Sequence, residues 1–229
     1  MKTEKLLTLA IAFEFFVLAL GGAIFILGKQ HAPIENQKVV LPNIELPRED
    51  KVVDLPVEVE KTTAQWAFQI QDVASDVWNY DVEYDIAEDI YIYSNIWAQF
   101  YDIDIETVLA QCGQESWFTP GLSPQNKNGT KDYGVMGVND LGIIDFNNAH
   151  WKAPVTVEQV QHDINIGIMV GCWNYANKRR ILEGWGIPAT EENILYAYNG
   201  GQGRVRDNRV PEKTKKYYQD VQNIKTLFL

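Results

Sequence analysis

Cysteine, histidine and basic residues are in short supply, and each shortage removes a class of function. The chain has two Cys and three His in 229 residues. Cys112 and Cys172 lie far apart with no His cluster beside them, which excludes a Cys-ligated zinc site. His150 and His162 have no His-Glu-x-x-His context, so a metallopeptidase is unsupported. No metal or other cofactor is expected. Lys and Arg number 20 against 31 Asp and Glu, a net charge of −11. Basic residues cluster only at Lys178-Arg179-Arg180 and at Lys213, Lys215 and Lys216, which argues against nucleic acid as a partner. No internal repeat is apparent.

Apolar and aromatic residues are plentiful instead, at 46% hydrophobic and 12% aromatic, with seven Trp and eleven Tyr. That composition suits one packed domain of ordinary size with appendages. One appendage is N-terminal. Leu6 to Leu27 is apolar except for Thr8 and Glu14, long enough to span a bilayer as a helix. Lys2 and Lys5 precede it, which favours a cytoplasmic N-terminus with the rest of the chain outside. A cleaved signal peptide fits less well, because Ile26-Leu27-Gly28-Lys29 offers no small-x-small site. Residues 1–28 are therefore expected to be an uncleaved transmembrane anchor, with Glu14 a tolerated residue or a partner contact. Residues 29–62 carry Pro33, Pro42, Pro47 and Pro56 among alternating aliphatic and acidic residues, the pattern of an extended, semi-stiff linker. At about 3.1 Å per residue such a tether reaches on the order of 100 Å.

From residue 63 to 229 the pattern becomes mainly helical. Helices are predicted over 63–79, 85–101, 104–116, 156–180, 190–199 and 211–227. Thr63 and Thr190 are candidate N-caps, and Thr156-Val157-Glu158-Gln159 reads as a capping box. Gly200-Gly201 suits a helix end. Helical periodicity vanishes between Trp117 and Trp151, and Asn128-Gly129 is a turn signal, so a short irregular β insertion is expected there.

Glu115 is the first candidate for chemistry. It sits in the last turn of the helix capped by Asp104, at the negative end of the dipole, which disfavours its ionised form. Desolvation by neighbours such as Trp117 and Phe118 would raise its pKa further. An acid still protonated near neutral pH is what protonating a glycosidic leaving group requires.

The context of Glu115 is a series of short motifs. Glu115-Ser116 is followed by Phe118, Pro120 and Ser123-Pro124, and then by Tyr133-Gly134-Val135-Met136. Asp163-Ile164-Asn165-Ile166-Gly167 and Ala197-Tyr198-Asn199-Gly200-Gly201-Gln202-Gly203-Arg204-Val205 come later. In this order, over roughly residues 85–206, they resemble the soluble lytic transglycosylase (SLT) family. The resemblance implies a lysozyme-like α+β domain that cleaves the glycan strands of peptidoglycan without a cofactor. It implies Glu115 as the catalytic acid and then base, with Ser116, Met136, Tyr198 and Asn199 at the substrate. Tyr198 would approach the carboxylate from across the cleft, and Met136 would line the cleft beside the reacting sugar. Asn199 also suits a plain helix-end cap.

Three positions depart from the family pattern. Gly137 stands where the family has Gln, Asp163 replaces an Asn, and the loop from Gln125 to Tyr133 is longer and more polar. Other readings stay open. Asp132, Asp140 or Asp145 could supply a second carboxylate and make a goose-type hydrolase, or cap turns. A catalytically idle glycan-binding or scaffold module, in an envelope or secretion complex, is the reading outside enzymes. Cys112 and Cys172 suit either a disulfide or two packed thiols.

Overall fold

The computed structural model describes residues 61–121 and 129–229. The expected anchor, nearly all of the expected linker, and Ser123, Pro124 and Asn128 lie outside them. Among the described residues no helix is long and apolar enough to cross a membrane.

Capping decides where each helix begins. Thr62, rather than Thr63, caps α1 (Thr63–Trp78): its hydroxyl accepts from Gln65 N, and the Gln65 side chain accepts from Thr62 N. Helix α2 (Tyr84–Tyr101) follows, then α3 (Ile105–Ser116). Strands β1 (Asp132–Tyr133) and β2 (Val138–Asn139) pair antiparallel, Asp132 opposite Asn139 and Tyr133 opposite Val138. They form the small β insertion expected between Trp117 and Trp151.

The same stretch also holds a helix that periodicity did not suggest, α4 (Asp140–Ala149). Asn139 caps it by accepting from Leu141 N, and Ile143 and Phe146 face inward. Its other apolar residues, Leu141 and Ile144, are exposed, so no polar face marks it as amphipathic.

The single helix predicted over 156–180 is two. Helix α5 (Val157–His162) carries the expected Thr156–Gln159 capping box. Asp163 then turns extended (φ −96°, ψ 110°), and its carboxylate accepts from Ile166 N to cap α6 (Ile164–Gly184). A side chain able to cap thus breaks the continuous helix. Thr190 caps α7 (Glu191–Gly200) as its sequence suggests. The short α8 (Gln202–Arg206) follows at once, and α9 (Glu212–Lys225) completes the order.

Helix α3 is the centre of the domain: eight of its twelve residues are buried. It packs against α2 on one side and α9 on another, while α6 packs along α2 and against α4. Gly113 permits the close approach, since a Cβ there would lie 2.9 Å from Trp78 and 3.0 Å from Phe118. Phe118 is fully buried between Trp78 and Phe228, a burial worth about 1.5–3 kcal/mol. Lys61 and Gln69 donate to the Phe228 and Leu227 carbonyls, which ties the last residues back to α1. The result is a fixed central helix whose C-terminal end carries Glu115.

Candidate active site

Helix α3 ends abruptly after Ser116. Trp117 and Phe118 both take left-handed backbone, φ +55° and +59°, and Trp117 N donates to Gly113 O at 2.8 Å. Glu115 therefore lies in a last turn held by the core, with Phe118 as its anchor. Its Oε1 accepts from the Tyr217 hydroxyl at 2.6 Å. Tyr217 comes from α9 and in turn accepts from Gln111 Nε2 at 3.3 Å. On its other side Glu115 meets the β1–β2 turn at Gly137, where the backbone has φ +58°.

This setting shifts the acid strongly. Burial pushes the Glu115 pKa up to about 8; the Tyr217 hydrogen bond works against that rise, and the negative charge of Asp132 adds to it. A carboxyl in that range is still largely protonated at neutral pH, the state of a general acid. Tyr217 and Tyr198 are raised well above the usual phenol range, first by burial and next by the nearby Glu115. Both are donors held neutral beside the acid.

The other sequence-predicted residues take varied places. Tyr198 donates to the Met136 carbonyl at 2.9 Å, so it braces the β1–β2 turn while Tyr217 holds the carboxylate. Met136 is fully buried, with its Sδ 4.0 Å from Cys172 Sγ; its side chain faces the core and not an open cleft. Ser116 is buried too, and its hydroxyl lies 2.9 Å from both the Cys112 and Val135 carbonyls. That fastens the end of α3 to the β insertion. Asn199 accepts from Thr214 Oγ1 at 3.0 Å, joining the end of α7 to α9.

The three candidate second carboxylates separate clearly. Asp132 lies near enough to raise the Glu115 pKa, and its Oδ1 accepts from Asn139 Nδ2 at 3.0 Å. Asp140 accepts from the Tyr133 hydroxyl and from Lys131 N, and its place is at the start of α4. Asp145 lies near enough to the half-buried Lys178 for its charge to oppose the lowering of that lysine's pKa by burial. Cys112 and Cys172 are buried free thiols, both pushed up by burial, Cys112 to about 12; they pack rather than react.

Sequence reasoning missed Tyr217 and Gln111. A signal existed: Thr214, Tyr217, Val221 and Ile224 are the buried face of α9, and a Tyr on such a face must find a partner for its hydroxyl. Two surface cavities, one by Tyr93 and His162 and one by Tyr196 and Lys215, do not have Glu115 in their walls. Among the described residues no His, Cys, Asp and Glu group could hold a metal ion.

The fold has a known counterpart. No family model and no curated protein matches the chain in sequence. Among solved structures it is similar to the lytic transglycosylase Slt of Pseudomonas aeruginosa, determined as an inactive Glu-to-Gln mutant, with a TM-score of 0.51 and 16% identity. The match covers 72% of this chain and 28% of the Slt chain. At that identity the likeness establishes a fold, and the fold is lysozyme-like: mainly helical with a small two-stranded sheet.

Proposed function

We propose that this chain is a peptidoglycan lytic transglycosylase with Glu115 as its single catalytic acid and base. The observation that carries the reading is the state of Glu115: a carboxyl raised to about 8 by burial, held by a phenol, at the end of the central helix of a lysozyme-like fold. The solved enzyme with this fold was made inactive by exchanging a Glu for Gln, which supports a catalytic role for a glutamic acid.

In the proposed reaction, Glu115 gives its proton to the glycosidic oxygen between N-acetylmuramic acid and N-acetylglucosamine, and the bond from muramic C1 to that oxygen breaks. The muramic N-acetyl group stabilises the oxocarbenium-like species. Glu115 then takes the proton of the C6 hydroxyl as its oxygen closes on C1, leaving a 1,6-anhydro ring. No water is consumed. Proton loss and return by one residue suit a pKa near the working pH. Tyr217 holds the carboxyl in position, and its hydrogen bond favours the ionised form after the first step.

Asp132 supports a second reading. It is the one acid among the three candidates whose charge Glu115 feels. If Asp132 activates water, the enzyme is a goose-type hydrolase. We further propose that residues 1–28 are a membrane anchor and 29–60 a tether that holds the domain outside the cytoplasm on envelope glycan, since Lys61 and Thr62 already belong to the folded domain.

Mass spectrometry of peptidoglycan digested by the full chain tests the reaction. Products ending in 1,6-anhydromuramic acid, absent with Glu115→Gln, support the transglycosylase. Reducing ends support the hydrolase. Absence of cleavage by the folded wild type supports a binding or scaffold module.

A further inference from the structure

Trp117 is an odd residue to find where it stands. It directly follows helix α3, two positions after Glu115, with φ +55°. The left-handed region is easy for glycine and costly for a bulky side chain. Phe118 follows at φ +59°, so two aromatic residues in succession carry that cost. Phe118 has a structural reason, since its ring fills the space between Trp78, Phe228 and Gly113. Trp117 has none of this kind. The residue is 49% exposed, and its ring makes no stacking or cation–π contact among the described residues. Glycine would end the helix at lower cost. Backbone strain retained at a residue beside a reacting group points towards use.

A flat, half-exposed indole without a ring-stacking or cation–π partner among the described residues suits one ligand chemistry well. β-1,4-linked N-acetylhexosamines present broad C–H faces along an otherwise polar strand, and indole offers a rigid apolar face with a polar N–H edge. A chain with net charge −11 cannot hold an anionic glycan by long-range attraction, so apolar stacking has to contribute. We infer that Trp117 is a sugar-stacking platform that seats the hexosamine ring next to the bond Glu115 cleaves. The inference rests on the glycan-cleaving reading and adds a binding subsite to it. The rigid turn serves that purpose: Phe118 fixes the backbone from below, and Trp117 is left on the outside.

The strain supplies an uncommon test. Trp117→Gly relieves the backbone while it removes the ring, so stability and binding should move in opposite directions. Affinity for a β-1,4-linked N-acetylglucosamine pentamer is measured by calorimetry in full-length Glu115→Gln protein, with thermal melting alongside. Adding Trp117→Gly should weaken binding at least about tenfold, as loss of an aromatic anchor does, with a melting temperature equal or higher. Trp117→Tyr should bind within about threefold of its parent, since a stacking face remains. Unchanged affinity in Trp117→Gly overturns the subsite, and so does a melting temperature that falls together with affinity, which marks the ring as structural. Wild-type cleavage of peptidoglycan separates the two levels. If it cleaves and Trp117→Gly binds normally, only the subsite fails; if it neither binds the pentamer nor cleaves, the enzymatic reading fails and takes the subsite with it.

Discussion

A Cβ atom on Gly137 would lie 2.5 Å from Oε2 of Glu115 and 2.9 Å from its Cδ. The β1–β2 turn thus presses bare backbone against the carboxyl, leaving no room for a side chain. Positive φ at Gly137 (+58°) adds a second reason for glycine. Gly137→Ala should displace the acid and strain the turn, costing roughly 1–3 kcal/mol for the backbone alone. Turnover on peptidoglycan should fall at least about tenfold, the equivalent of about 1.4 kcal/mol in the barrier. Thermal melting and product assays on the same preparation check both. Gly137→Gln, the residue of the SLT pattern, should fare no better.

Glu115 should also leave its mark on stability. Its folded pKa of about 8 stands above the ordinary value of 4.5, so the folded state binds a proton that the unfolded chain has released. Stability from this group is complete below about pH 4.5 and is lost as pH rises through about 8. Glu115→Gln keeps an oxygen for Tyr217 and has no proton to lose. The two proteins should melt alike near pH 4.5, and the mutant should become progressively the more stable as pH approaches 8. Its turnover should fall at least about 100-fold, the range of general acid catalysis. A wild-type rate that declines as pH rises past about 8 completes the pattern.

Much of this site was legible because its signals are local. The α3 periodicity, the Glu115-Ser116 pair and the Thr156 and Thr190 caps all lie within a few residues of what they determine. The missing parts depend on tertiary contact. Tyr217 is 102 residues from Glu115, and only the docking of α9 on α3 brings them together. Gly137 reads in sequence as a lost amide contact, whereas its effect is the space it gives Glu115. Asp163 reads as one polar change within a helix; its capping bond to Ile166 N divides α5 from α6. Helix α4 escaped because exposed Leu141 and Ile144 blur the pattern made by Ile143 and Phe146.

Ser116 offers a test of binding against architecture. Its buried hydroxyl lies between the Cys112 and Val135 carbonyls. Ser116→Ala should leave Val135 O without that donor and lower stability by about 1–3 kcal/mol. KM for glycan should stay within about twofold, because a residue with 1% exposure reaches substrate poorly. A raised KM with unchanged melting would reverse that assignment and put the hydroxyl at the sugar.

Tyr217 carries the most informative pH experiment. Its hydroxyl donates to Glu115 at 2.6 Å, and that bond lowers the acid's pKa against the effect of burial. Tyr217→Phe removes the donor and leaves burial in place, so the Glu115 pKa should rise above its present value of about 8. The basic limb of the pH–rate profile should move to higher pH. The rate at neutral pH should fall about tenfold, because the carboxyl loses its fixed orientation and the carboxylate formed after proton transfer loses its donor. Gln111 Nε2 loses its acceptor in the same variant, and Gln111 Oε1 is already buried with no hydrogen-bond partner among the described residues. A stability loss of about 1–3 kcal/mol should therefore accompany the change. The shifted limb separates the two effects: a purely structural tyrosine would lower the rate and the melting temperature but leave the apparent pKa where it was.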